Sequence, residues 1–105
     1  MIRRTLPQRR AAETFDMRFW NQPFTVTVGF YADGTPGEVF IDSRSGGDVE
    51  AVARDAAVTL SLGLQHGVPI ESIRHAVTRG VSEEPASILG AVVDCITTKS
   101  CSGGV

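Results

Sequence analysis

The feature that most constrains this chain is a change of hydrophobic period at Ser43-Arg44-Ser45-Gly46-Gly47. Before this break, apolar residues recur at every second position, the spacing of half-buried strands. After it they recur at every third or fourth position, the spacing of amphipathic helices. Phe15, Met17 and Phe19 alternate with Asp16 and Arg18 in the stretch Thr14–Trp20, and Asn21-Gln22-Pro23 reads as a turn. Phe24, Val26, Val28 and Phe30 then face one way, with Thr25 and Thr27 facing the other. Asp33-Gly34 is a second turn, because glycine accepts positive φ without steric cost. Glu38–Asp42 is a short third strand.

Beyond the break, Asp48 is the expected N-cap of a helix spanning Asp48–His66. Its stripe is Val49, Val52, Ala53, Ala56, Leu60 and Leu64. Past Ala57 this helix is apolar on most sides, through Val58, Leu60, Leu62 and Leu64, and an all-round apolar helix must be covered. Gly67 ends it, and Pro69 opens a short helix carrying Ile70, Ile73 and Val77 that stops at Gly80. Glu83-Glu84-Pro85 marks a third helix start, with Ile88, Val92, Cys95 and Ile96 as its stripe. The order predicts an α+β fold: a three-stranded antiparallel meander followed by three helices packed on one face. Residues 1–13 read as a basic extended arm, 14–98 as a single α+β domain and 99–105 as a flexible tail.

With 105 residues there is room for one modest core and no deep cleft between domains, so a catalytic centre would be shallow or shared between subunits. The net charge of −2 hides an asymmetry: Arg3, Arg4, Arg9 and Arg10 precede the first acid, Glu13. Without those four, six basic residues face twelve acidic ones, or −6 over residues 13–105. An acidic body argues against a general nucleic-acid surface, while a basic arm can touch phosphate or an acidic partner. No apolar run is long enough to span a membrane, and the basic start lacks the apolar stretch of a secretory signal. The expected location is therefore cytoplasmic, with two reduced thiols rather than a disulfide framework.

Each candidate for chemistry has a plain alternative. Cys95 and Cys101 could exchange with a partner disulfide, but Cys95 falls on an apolar stripe and Cys101 in the tail. A zinc site would need tighter spacing and more ligands than these thiols with the distant His66 and His75. His66 sits at a helix C-terminus with no nucleophile or paired carboxylate beside it in sequence. Gly46-Gly47 precede a helix, but Asp48 and Glu50 in its first turn would repel phosphate. Arg3, Arg4, Arg9 and Arg10 could grip phosphates, with weak and strongly salt-dependent binding, or fold onto an acidic face of their own or a neighbouring subunit. No cofactor or metal is expected.

Several segments in order resemble a known family. These are Leu6-Pro7-Gln8-Arg9-Arg10, the strand pair, Gly37–Asp42, and Ser61-Leu62-Gly63-Leu64-Gln65-His66-Gly67-Val68-Pro69. They resemble the TSCPD domain, the C-terminal region of vitamin B12-dependent (class II) ribonucleotide reductases, over roughly residues 3–80 and more weakly over Ser87–Thr98. The run that names the domain is absent; Lys99-Ser100-Cys101-Ser102 echoes only part of it. In those reductases the radical chemistry, cobalamin and substrate belong to a large barrel that this chain cannot contain. The resemblance therefore implies a non-catalytic, stand-alone accessory module linked to deoxyribonucleotide synthesis. The apolar stretch Val58–Leu64, in a chain too small to cover it, adds the expectation of a homo-oligomer, with a dimer favoured, joined through Val58 and Leu62. Its partner would be a reductase or another larger protein. Two other readings stand beside it: a thiol electron carrier using Cys101 and Cys95, and weak nucleic-acid or nucleotide binding through the arginine pairs.

Overall fold

A computed structural model describes residues 2–98. The elements run β1 (Ala12–Phe19), β2 (Gln22–Phe30), β3 (Pro36–Ser43), α1 (Gly47–Gln65), α2 (Ile70–Ala76) and α3 (Ile88–Thr98). The strands form one antiparallel sheet in the order β1-β2-β3, the expected α+β arrangement. Its inner face carries Phe24, Val26 and Val28 from β2 and Val39 and Ile41 from β3, all fully buried. These pack with Ala53, Ala57, Leu60 and Leu64 of α1 and with Ile88, Val92 and Val93 of α3. Phe15, Met17 and Phe19 on β1 are only half-buried, so the helical layer covers β2 and β3 better than β1. No helix among the described residues is long and apolar enough to cross a membrane.

Several local expectations shift. The first hairpin turns at Trp20-Asn21, one residue earlier than Asn21-Gln22-Pro23; both residues have positive φ, 53° and 59°. A two-residue turn with this geometry matches the twist of the strands it joins. Pro23 lies inside β2, opposite Arg18. The apolar row of β2 is broken by an irregularity between Gly29 and Phe30, which leaves Phe30 half-buried.

Asp48 does not cap α1. Gly46 holds the N-cap position at φ 71°, without a side-chain cap, and Asp48 and Glu50 fall in the first turn, where the helix dipole favours acids. The inward stripe is Ala53, Ala57, Leu60 and Leu64, while Val52 is 62% exposed. The small alanines let α1 lie close along β3, and Val52 is left on the solvent side. The second half of α1 is covered on one side within the domain, and Val58 and Leu62, 56% and 41% exposed, stand on its far side. α3 begins at Ile88 rather than near Glu83: Glu83 is left-handed at φ 66°, and Arg79 pairs with Pro85 in an isolated bridge.

Candidate functional site

The N-terminal arm is seated on the domain. Arg4 donates its backbone N–H to the carbonyl of Gln65 (2.6 Å), and the Tyr31 hydroxyl donates to the carbonyl of Arg4 (2.8 Å). The Arg4 guanidinium lies 3.7 Å from the centre of the Tyr31 ring, a cation–π contact, and pairs with Asp33 at 3.3 Å. Hydrogen bonds from the side chain and backbone of Thr35 hold the Asp33 carboxyl below its ordinary range, and Arg4 adds to the effect. Arg3 Nε donates to Gln65 Oε1 (2.5 Å), and Gln65 Nε2 donates to the carbonyl of Gly37 (2.9 Å). Gln65, one of two buried polar residues among the described residues, thus joins arm, helix and strand. Gly37 is glycine for lack of room: a Cβ there would lie 2.5 Å from the Tyr31 ring and 2.9 Å from Leu6.

Arg10 binds the Glu38 carboxylate and the carbonyl of Pro7. Arg9 makes no hydrogen bond or ion pair with the described residues. Arg9 and Arg10 border an open cleft of about 660 Å³ whose walls include Phe15, Phe30, Tyr31 and Cys95. Arg3 and Arg4 lie outside it. The four arginines therefore do not converge on one anion: three are engaged with the domain itself.

Cys95 is 8% exposed on α3 and is disulfide-bonded, unlike the reduced core thiol expected; Cys101 lies outside the described residues. His66 turns back on its own helix, its Nδ1 2.8 Å from the carbonyl of Leu62. No cluster of three or more metal-ligating side chains occurs among the described residues.

Two polar arrangements were not foreseen. Arg79 grips Asp94 with both ends of its guanidinium, at 2.7 and 2.6 Å, and also reaches the carbonyls of Arg74 and Glu83. This bidentate bond, partly opposed by burial, holds the Asp94 carboxyl below its ordinary range, with the charges of Arg79 and Arg74 contributing. Asp94 is the only charged residue in α3, and that isolation was the available sign. The second arrangement is at the edge of the sheet. Ser61 Oγ accepts the N–H of Val39 (2.8 Å) and lies 3.1 Å from its carbonyl, so α1 caps the outward backbone of β3. Ser61 and Gln65, polar and one turn apart in a half-helix that is otherwise apolar but for Thr59, were the corresponding sign.

Val58 and Leu62 sit one turn apart on the outer side of α1. Val58 shares a shallow groove with Phe40, which is 53% exposed on the outer face of β3. Arg54, paired with Asp42 and Glu50, borders the same groove.

Comparison with known proteins places this geometry in a family. The chain is 36% identical over 77 residues to the vitamin B12-dependent ribonucleotide reductase of Agrobacterium fabrum, covering 72% of this chain and 6% of that protein. It is 34% identical over 77 residues to that of Bradyrhizobium diazoefficiens, again covering 72% and 6%. The Rhodopirellula baltica reductase is 33% identical over 72 residues, covering 68% of this chain and 7% of that protein. The chain thus spans only 6–7% of the length of these curated relatives. No solved structure matches it. The TSCPD domain model matches residues 2–102, the whole described fold including the seated arm, and the chain belongs to the TSCPD domain family.

Proposed function

We propose that this chain is a non-catalytic accessory module of deoxyribonucleotide synthesis. It forms homo-oligomers and docks onto a larger protein of the ribonucleotide reductase kind. One observation carries the reading. The charged side chains that could do chemistry are largely committed to structural pairs, while Phe40, Val58 and Leu62 are left exposed beside a groove. Exposed apolar side chains gathered in this way suit a protein surface better than a small polar substrate. The similarity to a short stretch of vitamin B12-dependent ribonucleotide reductases supplies the chemical context.

The test is binding to a purified vitamin B12-dependent ribonucleotide reductase from the same source, followed by interferometry. Saturable binding that weakens about tenfold or more in Val58→Glu is expected, since burying a carboxylate there costs more than Arg54, already paired with Asp42 and Glu50, repays. Absence of binding, or equal binding by the variant, rejects this docking surface.

A second reading is favoured by Arg9, whose guanidinium is uncommitted at the edge of the cleft with Phe15, Phe30 and Tyr31. It is weak binding of a phosphate-bearing ligand. Titration with a nucleoside triphosphate at low and high salt should show heat only at low salt, and none in Arg9→Gln.

A further inference from the structure

We propose that the open edge of β1 receives β1 of a second copy, antiparallel about a two-fold axis at Met17, so that two sheets become one continuous sheet. The inference rests on the homo-oligomer part of the preceding reading and is independent of the reductase.

The backbone supplies the first argument. Phe30 donates its N–H to the carbonyl of Ala11, which sets the parity of the β1–β2 ladder. Ala11, Glu13, Phe15, Met17 and Phe19 therefore turn their backbone groups toward β2. Ala12, Thr14, Asp16 and Arg18 turn theirs away from the sheet. None of these outward groups has a hydrogen-bond partner among the described residues. The strand is eight residues long and pairs with β2 without irregularity. It contains no proline and no lysine. Of the devices that ordinarily keep an edge from pairing, proline, lysine and a bulge are missing, and the charges it carries are Glu13, Asp16 and Arg18.

The side chains supply the second argument. With the axis at Met17, Asp16 stands opposite the partner's Arg18 and Arg18 opposite the partner's Asp16. Both pairs fall on the exposed outer face. On the inner face Met17 meets its own copy, and Phe15 stands opposite the partner's Phe19. These half-buried side chains lack cover on the β1 side, and a second sheet would extend the apolar surface over them. Sliding the register by two residues places Asp16 opposite itself in one direction and Arg18 opposite itself in the other. Slipping by one residue turns every side chain to the wrong face. Charge and parity together select one isologous register.

Sedimentation velocity on the full chain across the micromolar range tests the proposal. A dimer is expected. Arg18→Asp, which sets like charges opposite each other twice, should weaken dimerisation about tenfold. The double variant Asp16→Arg/Arg18→Asp should recover it, and Val58→Glu should leave it intact. A monomeric parent chain overturns the proposal, as does failure of the double variant to recover or dissociation by Val58→Glu. Hydrogen exchange on the unaltered chain gives a measurement that needs no variant. The amides of Asp16 and Arg18 should slow as concentration rises, and concentration-independent exchange there also overturns it. Loss of reductase binding would leave both readouts unmoved, so the two readings fail separately.

Discussion

The two edges of the sheet are finished differently. Along β3, α1 lies close enough for Ser61 to take the N–H of Val39 and for Gln65 to reach the carbonyl of Gly37. Along β1, Ala12, Thr14, Asp16 and Arg18 aim the same kinds of backbone group away from the sheet, where no described residue meets them. The cause is the placement of the helices. α1 runs beside β3, and the helical layer leaves the inner face of β1 half-covered. A small sheet has two edges to protect, and a single long helix can finish only one of them. The domain thus completes one side by itself, while the other side finds no hydrogen-bond partner among the described residues.

Breaking the finished edge should have the largest effect. In Gly37→Val, side-chain atoms would collide with Tyr31 and Leu6, prying the arm from β3. The expected loss is about 3 kcal/mol in chemical denaturation, the upper part of the range for overpacking. Stability equal to that of the parent chain would show that the arm is not seated as described.

Ser61→Ala removes a cap without adding bulk, leaving the N–H of Val39 with no partner at a part-buried position. It should cost about 1–2 kcal/mol. The matching change on the open edge, Thr14→Ala, removes an exposed hydroxyl contact to Thr27 and should cost only about 0.2–0.5 kcal/mol. Equal losses by urea titration would erase the contrast between the edges.

The grip of Arg79 on Asp94, which helps hold the helical layer in place, adds a dependence on pH. Because the folded Asp94 carboxyl has a lowered pKa, its contribution is fully present above the unfolded value of about 3.9 and fades as pH falls through the folded value. Asp94→Asn should therefore lower the Tm at pH 7 by a few degrees. It should also flatten the acid side of the stability profile below about pH 4. An acid limb as steep as that of the parent chain would remove Asp94 from this role.

Much of the architecture was legible in the sequence because period and turn chemistry are local. The alternation around Met17 and Val26 marked the strands, and the glycines at 46 and 47 marked the passage to helix. What escaped depends on which neighbour a side chain meets. Val52 looked inward by spacing, but the inner line of α1 is set by Ala53 and Ala57, whose small size permits close approach to β3. The acids at 83 and 84 resembled a helix start, yet the grip of Arg79 on Asp94 and the left-handed Glu83 keep that stretch a loop. The arginine pairs were visible as charge. That Arg4 would stack on Tyr31 and Arg10 bind Glu38, leaving Arg9 apart, depends on contacts across long separations. The capping by Ser61 left only a faint sign, since its polar spacing with Gln65 does not announce a strand backbone beside the helix.

The hold of Gln65 on Arg3 and Arg4 has a consequence for how such a unit can be attached to anything else. Polypeptide joined ahead of Ile2 would emerge at the far end of the longest helix, already clamped at two consecutive residues. From Arg3 onward the leader is thus moored to the body, so the point at which it leaves the surface is set by the end of that helix.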